Sequence, residues 1–76
     1  MLVRLELRGR PADPQRIALV KAIREVSGLG LKVAKEAMDD LVNDGEATLV
    51  VDGEEVACRL EDRLEPFGVT LRRVER

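Results

Sequence analysis

Histidine, tryptophan and tyrosine are absent from this chain, and Phe67 is its single aromatic residue. Without histidine no Cys/His zinc site can be assembled. With one aromatic ring there is no platform on which the bases of a single-stranded nucleic acid could stack, and the core has to be aliphatic. Cysteine occurs once, at Cys58, which excludes an internal disulfide and fits a reducing, cytoplasmic setting. No apolar run approaches membrane-spanning length. Charged Arg4, Glu6 and Arg8 follow Met1-Leu2-Val3 too soon for a secretory leader. There is no glycine-rich phosphate loop and no nucleophile with a plausible base. Cys58 reads as an ordinary surface cysteine. The neighbouring acids Asp39-Asp40 and Glu54-Glu55 point apart on a helix instead of converging on a metal. No catalytic, cofactor-binding or metal-binding residue is therefore expected.

What is present is unevenly placed. The formal net charge is -2, too small and of the wrong sign for non-specific binding to nucleic acid. Residues 15–35 nevertheless hold all three lysines, and carry Arg16, Lys21, Arg24, Lys32 and Lys35 against Glu25 alone. Residues 36–66 carry eleven carboxylates against Arg59 and Arg63. A small basic face on an acidic body favours one acidic partner approached in a preferred orientation. Pairing of the opposite charges within the fold is the other reading of the same pattern.

Seventy-six residues make one domain, expected to span 1–76. Val3, Leu5 and Leu7 alternate with Arg4, Glu6 and Arg8, which predicts a half-buried strand over Leu2 to Arg8. Asp13-Pro14 predicts a helix start, with Asp13 capping the free amides and Pro14 losing nothing at the first helical position. That helix runs to about Ser27. Gly28 can take the left-handed conformation that ends it, and Gly30 lets a second helix begin close by. The second helix, Leu31 to Val42, places Leu31, Ala34, Ala37, Met38, Leu41 and Val42 on one arc, expected to be core. Asn43-Asp44-Gly45 is a turn, Ala47 to Val51 a strand, and Val56, Ala57, Leu60 and Leu64 the buried face of a third helix with Asp52 or Gly53 at its cap. Pro66 stops that helix, and Val69, Leu71 and Val74 mark a last strand in which Val74 breaks alternation through a bulge or a frayed end. The order β-α-α-β-α-β predicts an α+β fold, a two-layer sandwich with three helices covering one face of three short strands. The pairing of the strands is not visible in the pattern.

On a helical wheel beginning at Arg16, Leu19, Ile23 and Val26 fall between roughly 280° and 340°, a narrow stripe directed at the core. Ile17 and Val20 lie elsewhere, among Arg16, Lys21 and Arg24. Two readings follow from the wheel. Ile17 and Val20 widen the core stripe while the cations snorkel along its rim, or they form a second, basic-aliphatic face for a partner, which Lys32 or Lys35 extends across the Gly28-Leu29-Gly30 joint.

These residues, Lys21-Ala22-Ile23-Arg24 and Ser27-Gly-Leu-Gly-Leu-Lys-Val-Ala-Lys35 above all, resemble the C-terminal domain of the acidic stalk protein of the bacterial large ribosomal subunit, and the element order carries the resemblance over essentially the whole chain. The resemblance implies a non-enzymatic module that docks translational GTPases, namely elongation factors Tu and G and initiation and release factors, with the ribosome as a further partner. It implies Arg16, Ile17, Val20, Lys21, Arg24 and Lys35 as the docking residues, and it gives Gly28 and Gly30 the structural joint. It favours the docking reading of Ile17 and Val20. Glu25 stands where the family often has a small residue, and Val33 where a glutamate is usual, so both bear on which partner binds. The family's dimerisation region and hinge precede this domain; with a first strand that begins almost at Met1, this chain is expected to be either an excised domain or a free-standing relative. Two other classes stay open: an adaptor of the same fold for a partner outside the ribosome, and an RNA-binding helix-loop-helix unit, against which the acidic balance and the Gly-x-Gly joint argue.

Overall fold

The computed structural model describes residues 1–74; residues 75 and 76 of the expected domain lie outside the described ones. Its elements are β1 (Leu2–Arg8), α1 (Arg16–Ser27), α2 (Leu31–Asp44), β2 (Glu46–Asp52), α3 (Glu54–Leu64) and β3 (Thr70–Arg73), with single 3-10 turns at Asp13–Gln15 and Glu65–Phe67. This is the predicted α+β order.

The strands obey their two-residue period. In β2, Ala47, Leu49 and Val51 are buried while Glu46, Thr48, Val50 and Asp52 face solvent. β1 is the central strand, antiparallel to β2 on one side and to β3 on the other. Leu5 stands opposite Leu49, and Leu7 lies between Ala47 and Leu71, so the buried residues of three strands form continuous rows on one face. The irregularity at Val74 is a frayed end: β3 stops at Arg73, while the Val74 amide still donates to the Arg4 carbonyl at 2.9 Å.

All three helices cover that face. α2 lies on β2 and α3 on all three strands, while α1 is held mainly by α2 and α3. Leu19 and Ile23 from α1, Leu41 from α2, and Leu60 and Leu64 from α3 are fully inaccessible. Each such side chain stabilises the fold by about 1.5–3 kcal/mol relative to exposure. Because α1 rests on helices along two flanks, its outward surface is left uncovered.

Two predicted details are corrected. Asp13 does not cap α1: the extended residue is Ala12 (ψ 150°), and Asp13 already lies in the 3-10 turn, so its carboxylate pairs with Arg16 in place of the free amides. α2 runs two residues past Val42, to Asp44, and ends where Gly45 adopts φ 79° and donates to the Leu41 carbonyl. At the start of α3 the cap is Gly53.

Arg73 stands opposite Leu5, on the side of β3 that faces the helices. Its guanidinium bonds Glu54 and also reaches Glu61 (3.6 Å) on α3, fastening the short edge strand to that helix.

Candidate docking surface

The α1–α2 joint is built as its glycines require. Gly28 takes φ 72°, a left-handed conformation that costs glycine little, and its amide donates to the Arg24 carbonyl at 3.0 Å. The Ser27 hydroxyl accepts from the Leu29 amide at 3.2 Å. α2 then starts at once, with the Ala34 amide donating to the Gly30 carbonyl at 3.1 Å. The sharp reversal sets the first turns of α2 beside α1.

Between the two helices lies an open groove of about 420 Å³, lined by Arg16, Ile17, Val20, Lys21 and Arg24 from α1 and by Leu31, Lys35 and Met38 from α2. Six of the seven sequence-predicted docking residues meet there. Lys32 does not line it; one residue past Leu31, it projects about 100° further round the helix. Ile17 is 83% exposed and Val20 only 9%. The two wheel readings therefore divide between the residues: Val20 widens the core stripe and also floors the groove, whereas Ile17 projects from the fold altogether.

Two groove residues were missed. Leu31 and Met38 read as core from their arc, but Leu31 is 49% exposed and Met38 half-buried. Their arc is shared between the sheet and α1, and at the first turn of α2 it is bounded on one side by the groove. The i, i+4, i+7 spacing of Leu31, Lys35 and Met38, an apolar-basic-apolar row facing Ile17, Lys21 and Arg24 at the same spacing on α1, carries this signal.

The electrostatics are one-sided. Lys21, Arg24, Lys32 and Lys35 have no carboxylate within 4.0 Å among the described residues; the ion pairs lie elsewhere. Arg16 pairs with Asp13, and its Nε is buried without a hydrogen-bond partner. Glu25, which directly follows Arg24, is held by Arg63 of α3, with Nη2 to Oε1 at 3.0 Å. Internal pairing thus leaves the basic face open.

A family model described as Ribosomal protein L7/L12 C-terminal domain matches residues 4–71. This chain belongs to that family. The proteins named Large ribosomal subunit protein bL12 of Streptococcus pneumoniae strains Hungary19A-6 and JJA are each 41% identical to it over 54 residues, covering 67% of this chain and 43% of theirs. The chain thus spans less than half the length of these curated relatives. No solved structure matches it. As a member of the L7/L12 C-terminal domain family it is a ribosomal stalk type of module, and the groove lies on the same α1–α2 segment that carries the sequence resemblance. Among the described residues, no helix is long and apolar enough to cross a membrane.

Proposed function

We propose that this chain is a non-enzymatic, cytoplasmic protein-binding module that docks translational GTPases, elongation factors Tu and G and initiation and release factors, through the α1–α2 groove, with the ribosome as its setting. The observation that carries the reading is the groove's composition. Exposed Ile17 and Leu31 offer apolar area for affinity, and Lys21, Arg24 and Lys35, unpaired within the described fold, offer charge for steering toward an acidic surface. Membership of the stalk-domain family supports the class of partner.

The test is a chemical-shift titration with elongation factor G. Resonances of α1 and of the first turns of α2 should move. Lys21→Glu and Arg24→Glu should each weaken binding by about tenfold or more while leaving thermal unfolding unchanged, since both side chains are exposed. If no α1 resonance moves, elongation factor G does not dock through this groove and the reading fails.

A further inference from the structure

β3 is an edge strand, with β1 on its inner side and no strand on its outer side. Which of its backbone groups face outward follows from the Val74 amide, which donates to the Arg4 carbonyl at 2.9 Å. In an antiparallel ladder hydrogen-bonded pairs alternate with non-bonded ones, so Arg72 and Thr70 also turn their backbone groups toward β1. Leu71 and Arg73 therefore turn theirs to the free edge.

Beside that edge, on the side of the sheet that the helices cover, lies a hollow of about 340 Å³ lined by Glu61 and Glu65 of α3 and by Val69, Thr70 and Leu71. Val69 and Leu71 are buried and give it an apolar floor. Among the described residues Glu65 has no cation within 4.0 Å, and Glu61 shares the Arg73 guanidinium with Glu54. The carboxylates outnumber that single cation, so the hollow is acidic and suits a further guanidinium.

We propose that β3 pairs antiparallel with β3 of a second copy, centred on Leu71, in an isologous dimer that joins the two three-stranded sheets into one. Charge selects this register. Centring on Arg72 or Arg73 would set like charges directly opposite each other, and centring on Thr70 would place Arg73 against the 3-10 turn at Phe67 instead of a strand. Centred on Leu71, the two Leu71 residues exchange both of their backbone bonds. Arg73 of each copy then stands opposite Val69 of the other, at the acidic hollow, with N–H donors to spare for Glu65 there. On the open face Thr70 meets Arg72, while the two Arg72 side chains lie only on the diagonal, each opposite Glu6 of its own β1.

A ladder built on a strand of four residues is a small interface, so the dimer is weak and forms at high protein concentration. Sedimentation and amide shifts of the full chain, followed from millimolar to micromolar protein, test it. Wild type should pass from dimer to monomer on dilution, with shifts at the Leu71 and Arg73 amides and none at Leu49 of β2. Glu65→Lys, at an exposed position, should weaken the dimer by about two- to tenfold through its two symmetric contacts. Thr70→Glu, opposite Arg72, should tighten it by about the same factor. A wild type that stays monomeric at millimolar concentration overturns the proposal. So does a dimer whose shifts map to α1 in place of β3, or one that Glu65→Lys leaves unchanged.

Discussion

Arg73 Nη2 donates to Cys58 Sγ at 3.2 Å, joining the last residue of β3 to the middle of α3. With its contacts to Glu54 and Glu61, the same guanidinium spans three positions of the helix at i, i+4 and i+7. Arg73→Ala should therefore loosen β3 selectively: hydrogen exchange at the Val74 amide, which pairs with Arg4, should quicken while that of Leu49 in β2 stays as it was. The hydrogen bond to Glu54 raises the Arg73 pKa above its ordinary value. A raised value means that the guanidinium's stabilising effect is fully present at every pH below the usual arginine range and is lost only as pH climbs through the raised value. Protection of Val74 should accordingly hold through mildly alkaline buffers, and a fall there would show that Arg73 is not what pins the strand.

Ile17 and Val20 are one helical turn apart and should separate binding from stability. Ile17→Ala removes a side chain that touches little of the fold, so its unfolding free energy should stay within about 0.5 kcal/mol of wild type, while affinity for elongation factor G falls. Val20→Ala removes two carbons at about 0.8 kcal/mol each plus a cavity term, about 2 kcal/mol in all. In a chain of this size that lowers the melting temperature by about 8–16 °C. Calorimetry and titration on both variants check the split; equal melting temperatures would show that Val20 does not belong to the core.

Two glycines should differ sharply on replacement by alanine. At Gly28 the left-handed backbone is the whole cost, about 1–2 kcal/mol, because a Cβ there has open space. At Gly9, φ is 139°, and a Cβ would run into the Gly68 carbonyl oxygen and sit 3.1 Å from Val69 Cα. The Gly9 amide also donates to the Gly45 carbonyl at 3.0 Å, so this residue ties the end of β1 to two turns at once. Denaturant unfolding should rank Gly9→Ala well below Gly28→Ala, and the reverse order would mean that the turn before β3 yields easily.

Much of this was legible in the chain because its punctuation is local. Gly28, Gly45 and Pro66 act within a few residues of themselves, and they set the ends of α1, α2 and α3. Strand order depends on contacts between residues far apart, such as Leu5 with Leu49 and Leu7 with Leu71, and no periodicity encodes it. For the docking face, a wheel gives the direction of a side chain but not what stands in that direction. Val20 and Leu31 lie at the margins of their arcs, and only the placement of α1 beside α2 puts Val20 against the core and leaves Leu31 half in water. Asp13 misled for a related reason: whether an aspartate caps a helix depends on its own backbone being extended, and here the preceding Ala12 is the extended residue.

The open face of the sheet has a bearing on how these molecules tolerate one another. β2 is an edge strand whose free side could template a second copy. Two such strands laid antiparallel about Leu49 would set Glu46 of each opposite Asp52 of the other, like charge facing like charge at both ends of the ladder. The acids that bracket β2 thus oppose the edge-to-edge joining of two copies through this strand.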